Sequence, residues 1–216
     1  MKILNCLFVP FIVGLIIAGL SGLALVLDVD VAKVLFSEQG FFEQMSPVLW
    51  IFAGLYALWK INKGGLQYLA LGLTFIALAL REWDHHKTFT SDSILKINFY
   101  KDGFGMEQVF GGIAALVIIG LILATLVILI RYLIAQRGYK TRGGQLLIAG
   151  LGMLVLSKLM DRAPSILRGD FNMTLDEGFT LVLLALEEGF EFFCPALILI
   201  GVVYKFKSEK SQPLLP

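Results

Sequence analysis

The sequence predicts an all-α integral membrane protein with six transmembrane helices. Hydrophobic residues make up 57% of the 216 positions and charged residues only 16%, whereas charged residues approach a quarter of a soluble domain. Six apolar segments, each near the length that crosses a hydrocarbon core of about 30 Å, follow one another with mostly short connections. The two cysteines, Cys6 and Cys194, both lie in apolar segments, so this composition excludes a soluble domain, a disordered chain and a disulfide scaffold.

The six predicted spans form one polytopic domain of residues 1–216. They cover approximately residues 4–27, 41–60, 65–83, 108–131, 143–160 and 178–204. The first span is longer than the apolar region of about 7–15 residues in a signal peptide, so we expect it to stay uncleaved. Its small residues Gly14, Ala18 and Gly22 recur at four-residue spacing, a pattern that favours close packing of another helix on that face.

The distribution of charge predicts the orientation of the spans. Six spans place both termini on one side of the membrane, and that side carries ten of the 18 basic residues but one of the 17 acidic residues, Glu209. The ten are Lys2, Lys60, Lys63, Arg131, Arg137, Lys140, Arg142, Lys205, Lys207 and Lys210. By the positive-inside rule the termini are cytoplasmic. The short loops and the lack of an appended domain favour a bacterial inner membrane.

Three glutamates stand deep in the sixth predicted span. Residues 174–177, Thr-Leu-Asp-Glu, form a capping-box pattern that predicts a helix start near residue 175. Glu187, Glu188 and Glu191 would then lie about 18–24 Å along the helix. An acidic side chain at this depth costs on the order of 2.5–3.5 kcal/mol, so each must be protonated, paired or hydrated. Their spacing places all three towards one outward-opening, acid-lined cavity.

Two predicted spans carry the same Glu-x-x-x-Pro pattern. Glu43 precedes Pro47 in the second span, and Glu191 precedes Pro195 in the sixth. A proline inside a helix removes the hydrogen bond to the carbonyl four residues earlier, which here belongs to the glutamate. A carboxylate beside a freed carbonyl suits a cation, a proton or a water molecule. A kinked helix with a tolerated glutamate is the alternative.

Polar residues at the outer ends of the third and fifth spans supply possible partners. The third span ends in residues 81–86, Arg-Glu-Trp-Asp-His-His, and the fifth in residues 158–162, Lys-Leu-Met-Asp-Arg. Arg81, Lys158 and Arg162 can pair with buried carboxylates or extend to the membrane interface. Aligning the glycine pairs 64–65 and 143–144 places Glu82 on Asp161, which leaves open a quasi-repeat of spans two and three in spans six and five.

The two histidines of the chain, His85 and His86, raise the possibility of a metal site. Glu82 and His85 have the Glu-x-x-His spacing of carboxylate-bridged metal sites, although the motif occurs once. We expect at most one divalent metal, with zinc the best match to a mixed set of imidazole and carboxylate ligands. The candidate ligands are His85, His86, Asp84, Asp161 and Glu82, together with glutamates of the sixth span. The alternative is a pair of interfacial histidines.

Three classes of function fit these features. The first, which the sequence favours over the other two, is a metal-assisted hydrolase or transferase acting on a lipid or peptide at the outer leaflet, with Glu188, Glu191, Glu43 and Arg81 as catalytic residues. The second is a proton- or cation-coupled carrier or channel that uses Glu187, Glu188 and Glu191. The third is a non-catalytic lipid-binding or assembly protein. All three have membrane lipids as partners and none involves nucleic acid, while the oligomeric state stays open.

Overall fold

A computed structural model describes residues 2–37, 39–83, 99 and 105–210, and their regular structure is entirely helical. Eight α-helices lie in these described residues: α1 (Lys2–Val26), α2 (Val29–Leu35), α3 (Phe41–Trp59), α4 (Ile61–Gly64), α5 (Leu66–Glu82), α6 (Met106–Ile130), α7 (Arg142–Gly169) and α8 (Glu177–Lys210). A π-helical turn, Arg131–Ala135, extends α6, and a 3-10 turn, Gly138–Lys140, leads into α7. The all-α prediction is confirmed for the described residues.

Within this part of the chain, four helices are long and apolar enough to cross a membrane. They are Phe8–Val26, Phe41–Trp59, Gln108–Ala135 and Arg142–Gly169. The other two predicted spans coincide with α5, which has 17 residues, and with α8, which carries three glutamates near its middle. The four apolar helices are those of a membrane protein, while the count of six spans stays a prediction.

The helices that correspond to the predicted fifth and sixth spans begin or end at residues other than those expected. Helix α7 continues nine residues beyond residue 160, through Pro164 to Gly169, so Lys158 lies well inside it. Helix α8 begins at Glu177, because the Asp176 carboxylate accepts the backbone N–H of Phe179 at 2.9 Å and caps the first turn. The expected start near residue 175 is therefore two residues early.

The chain packs as two compact units. The first comprises the described residues up to Ser46 and from Arg137 onward, and the second comprises Pro47–Gln136. Compact units need not fold independently, so the prediction of a single domain is untested by this division. In the first unit, α8 packs against α1, α2 and α7. It is therefore the central helix of the unit that contains the glutamates.

A salt bridge joins α2 to the start of α8. Lys33 Nζ lies 2.6 Å from Glu177 Oε1, and both side chains are exposed. The hydrogen bond from the ammonium to this carboxylate, and then their charge attraction, raise the pKa of Lys33 above 10.5. The pair therefore stabilises the fold below that pH and stops doing so as the pH rises through the shifted pKa. Because both groups are exposed, the contribution is small.

Glycines bring α7 and α8 into close contact. A Cβ atom added at Gly143 would lie 2.9 Å from the carbonyl oxygen of Gly201, and one added at Gly150 would lie 3.0 Å from that of Cys194. The two contacts are seven residues apart on each helix, so the antiparallel helices meet at small residues in every second turn. Small residues at such positions allow helix backbones in a membrane protein to approach closely. The α7–α8 contact is therefore the tightest backbone packing around the glutamates.

Helix α1 packs on α8 through a face that the sequence pattern did not indicate. Leu20 is buried and occupies the space above Gly189, where an added Cβ would overlap the leucine side chain. A Cβ at Gly14 or Gly22 would meet no described atom within 4 Å, and Ala18 is exposed. The predicted small-residue packing face of α1 is therefore wrong for the described residues. In the observed contact the glycine is Gly189 of α8, and the large side chain that packs on it is Leu20 of α1.

The second unit has its own interhelical contacts. Gly54 of α3 approaches Gly72 of α5, since a Cβ at Gly54 would lie 3.0 Å from the carbonyl oxygen of Gly72. The buried Thr74 hydroxyl of α5 donates to the carbonyl oxygen of Leu121 at 3.1 Å and lies 2.8 Å from Thr125 Oγ1. These threonines join α5 to α6 by hydrogen bonds that leave no hydroxyl exposed to the surrounding apolar environment.

The α7–α8 contact generates a stability prediction. Gly143→Ala should lower the free energy of unfolding by about 1–3 kcal/mol, because the new methyl meets the backbone of α8 and cannot be relieved by a side-chain movement. Gly152→Ala on the same helix is the matched control, since a Cβ there meets nothing within 4 Å. Thermal unfolding in detergent measures both. Equal stability of the two variants would contradict the close packing.

Candidate functional site of carboxylates and a lysine

Three glutamates, Glu187, Glu188 and Glu191, lie near the middle of α8. Glu188 and Glu191 stand 11 and 14 residues beyond the first residue of α8, at about 17 and 21 Å along an axis of about 51 Å. The helix runs past Pro195 without interruption, and that proline is fully buried. The two carboxylates therefore lie far from either end of α8, within the packed part of the first unit.

Lys158 of α7 neutralises Glu191. Its Nζ lies 2.5 Å from Glu191 Oε1, and the Glu191 side chain is 12% exposed while that of Lys158 is 46% exposed. A hydrogen bond from an ammonium to a carboxylate is charge-assisted and therefore stronger than one between neutral groups. Of the three cations that the sequence offered as partners, Lys158 forms this contact. Lys158 lies about 24 Å along α7 from the first residue, Arg142, which places its side chain beside Glu191 of α8.

The backbone carbonyl of Glu191 has a partner that the sequence analysis missed. Pro195 has no N–H to donate to this carbonyl, and the hydroxyl of Ser46 on α3 donates to it instead, at 3.1 Å. Ser46 is 1% exposed. A serine next to a proline in an apolar helix is the sequence signal that could have indicated it. The carbonyl that was expected to help bind a cation thus accepts a hydrogen bond from another helix.

Glu188 is the most deeply buried of these acids. It is 7% exposed, and no described residue forms a hydrogen bond with its Oε2 atom. The nearby carboxylates of Glu191, Glu43 and Glu187 repel a negative charge on Glu188, whereas the ammonium of Lys158 attracts it. The buried Leu20 covers Gly189, the next residue of the helix. Glu188 therefore combines an acidic group, burial and an oxygen that can still accept or carry a proton.

Phenylalanine rings hold the start of α3 against α8. The Phe42 ring stacks on Phe36 with centroids 5.1 Å apart and meets Phe192 edge-on at 5.4 Å. Such geometries are the favourable ones for aromatic pairs. Because Phe42 and Phe192 directly adjoin Glu43 and Glu191 in the chain, the cluster keeps the first turn of α3 beside the acidic part of α8. Glu43 itself is partly buried there.

The remaining predicted site residues lie elsewhere or outside the described chain. Arg81 and Glu82 end α5 in the second unit, where Arg81 is exposed. Asp161 is exposed on α7 and lies 3.7 Å from Arg162. Asp84, His85 and His86 fall outside the described residues. In the described ranges, no group of three or more His, Cys, Asp or Glu side chains is arranged to hold a metal ion, so the divalent metal site stays a prediction.

The Lys158–Glu191 pair generates a second prediction. Lys158→Met should lower the free energy of unfolding by about 1–3 kcal/mol, less than the loss for a fully buried pair, because the protein only half covers the lysine. Adding Glu191→Gln should recover much of that loss, since no uncompensated charge then stays buried. Denaturant unfolding of the two variants checks this. A double variant less stable than Lys158→Met would contradict the role of the pair.

Comparison of the chain with models of protein families, with curated proteins and with solved structures finds no match. The chemistry of the site is therefore the basis for a proposal about function.

Proposed function

We propose that the protein is a membrane carrier or channel for protons, in which Glu188 takes up and releases the transported proton beside a fixed Lys158–Glu191 ion pair. The observation that carries this proposal is the burial of the Glu188 carboxyl group, with an oxygen that lacks a described hydrogen-bond partner. An acidic residue inside the membrane marks a proton or ion pathway more often than a purely structural position, because its burial is costly.

The two acids of α8 meet the cost of burial in different ways. The Lys158 ammonium is directly bound to Glu191, so this carboxylate stays charged and neutralised. Glu188 shares the same region with further acids, Glu43 and Glu187. One lysine cannot neutralise two adjacent carboxylates, so Glu188 must hold a proton or admit a small cation when it is buried. Loss of that proton adds an uncompensated charge, which favours a change in the packing around Glu188.

The sequence supports a finer description of the carrier. In this proposal the carrier has six spans with both termini in the cytoplasm of a bacterial cell, and its carboxylates lie in an acid-lined cavity that opens towards the outer side. Helix α5 extends about 26 Å, slightly less than a hydrocarbon core, and the ion pair of Glu191 with Lys158 supports the burial of part of the acidic charge of α8. The excess of basic residues on the terminal side supports this orientation.

Two other functions from the sequence stay as predictions to be distinguished from the carrier. The metal-assisted hydrolase or transferase needs His85, His86 or Asp84, which lie outside the described residues. Elemental analysis of chelator-washed protein, compared with a His85→Ala, His86→Ala double variant, tests it: about one zinc per chain, lost in the variant, would favour the hydrolase. A lipid-binding or assembly protein would show neither bound metal nor proton movement.

Proton flux tests the carrier. In proteoliposomes with a trapped pH-sensitive dye and an imposed inside-negative potential, the wild type should acidify the lumen. Glu188→Gln should abolish this flux, because glutamine has the shape of a protonated glutamate but cannot exchange its proton. Glu177→Gln is the matched control on the same helix, since Glu177 is exposed and lies at the helix start. A wild type that moves no protons, or a Glu188→Gln variant with unchanged flux, would contradict the proposal.

A further inference from the structure

We propose that Ser46 is a positioning residue that fixes the backbone of α8 at Glu191, one turn before Pro195, and thereby holds Glu191 on Lys158. This inference rests on the proposed function, because it concerns the regulation of the same site. The Ser46 hydroxyl takes the place of the backbone N–H that Pro195 lacks. Helix α3 thus completes the hydrogen bonding of α8 at the point where the proline interrupts it.

The burial of the residues around this hydrogen bond makes it important. Ser46 is 1% exposed and Pro195 is fully buried, so little room is left for water to replace the hydroxyl at the Glu191 carbonyl. A buried carbonyl without a donor is costly, and in a membrane interior the cost is not relieved by solvent. The hydrogen bond is therefore specific to this arrangement of α3 and α8.

Ser46 uses its hydroxyl differently from another buried serine of the same unit. A serine inside a helix commonly donates to a carbonyl of its own preceding turn. Ser157 of α7, 0% exposed, does so and donates to Leu154 at 3.0 Å. The Ser46 hydroxyl instead reaches a carbonyl 145 residues away in the chain. The comparison distinguishes a local hydrogen bond from one that joins two helices.

Glu191 is consequently held at two points by two helices. Its carboxylate binds Lys158 of α7, and its backbone carbonyl binds Ser46 of α3. Loss of the second contact releases the α8 backbone at Glu191 and loosens the contact with Lys158. The acids Glu43, Glu187 and Glu188 also act in this region, so a displaced Glu191 changes the charge environment of the proton-exchanging group. Ser46 thereby controls the geometry of the site without contacting a transported species.

The reactivity of Lys158 measures this positioning directly. An ammonium group bound by a carboxylate is a poor nucleophile, and Lys158 is exposed enough to meet a membrane-permeant acylating reagent. Mass spectrometry of the purified full-length chain in detergent follows acylation of Lys158. Acylation of the distant Lys33, paired with Glu177, serves as the internal reference. Glu191→Gln gives the acylation rate of Lys158 when the carboxylate of Glu191 is absent.

Four variants separate a positioning role from a general loss of stability. Ser46→Ala should raise the Lys158 acylation rate about two- to tenfold, the range for loss of one hydrogen bond, towards the rate of Glu191→Gln. Ser157→Ala is the control for removal of an equally buried hydroxyl and should leave the rate unchanged. Pro195→Ala restores the helical N–H donor, so Ser46→Ala combined with Pro195→Ala should return to the rate of Pro195→Ala alone.

The outcome that would overturn the proposal is equally specific. Unchanged Lys158 reactivity in Ser46→Ala, or an equal rise with and without Pro195→Ala, would show that Ser46 does not act through the Glu191 carbonyl. If Ser46→Ala alone fails to fold, rescue of folded protein by Pro195→Ala supports the proposal, and no rescue while Pro195→Ala alone folds overturns it. Because acylation requires no transport, failure of proton flux in the wild type would reject the carrier and leave the positioning result intact.

Discussion

The burial of carboxylates in an apolar helix bundle is the constraint on which the first unit depends. A charged acid inside such a bundle needs a cation, hydrogen bonds or a proton, because the surroundings supply no water to solvate it. Glu191 has a cation in Lys158 and a hydroxyl donor at its backbone. Glu188, one helical turn earlier, has an oxygen without a described hydrogen-bond partner. This difference between neighbouring acids is the basis for assigning them separate roles.

The packing of the helices follows from the same constraint. Lys158 reaches Glu191 because α7 and α8 approach closely at Gly143 and Gly150. With larger residues at these positions the helix axes would separate, and a short contact between the charged groups would be lost. The phenylalanine cluster acts similarly on the other side of α8, where it brings the first turns of α3 and their Ser46 into reach. Apolar packing thus sets the geometry of the polar site.

Much of the fold was predictable because apolar segments of spanning length have few alternatives to a helix. The depth of Glu188 and Glu191 also followed from their positions along the predicted sixth span. Lys158 was one of three cations that the sequence offered as partners, and the structure distinguishes it from Arg81 and Arg162. The Gly14, Ala18 and Gly22 pattern failed because small residues permit close packing without requiring it, and Leu20 packs on Gly189 instead. Ser46 could not be assigned because its contact depends on how α3 lies on α8, which spacing within one helix does not specify.

The metal hypothesis shows another limit of arguments from spacing. Glu82 and His85 have a ligand spacing, but a metal site requires ligands that converge from several helices, and spacing within one helix does not establish that convergence. The carboxylate and lysine site has a different basis, because its residues come from α3, α7 and α8 and meet at measured distances. The proposed carrier therefore rests on contacts between helices.

The central claim is that Glu188 carries a proton while Glu191 stays ionised beside Lys158. Infrared difference spectroscopy of the membrane-reconstituted protein, with selective isotope labelling of glutamate carboxyl groups, tests it most directly. The account predicts a protonated-carboxyl band at neutral pH that is present in the wild type and absent from Glu188→Gln. Persistence of that band in Glu188→Gln, or its absence from the wild type, would contradict the account.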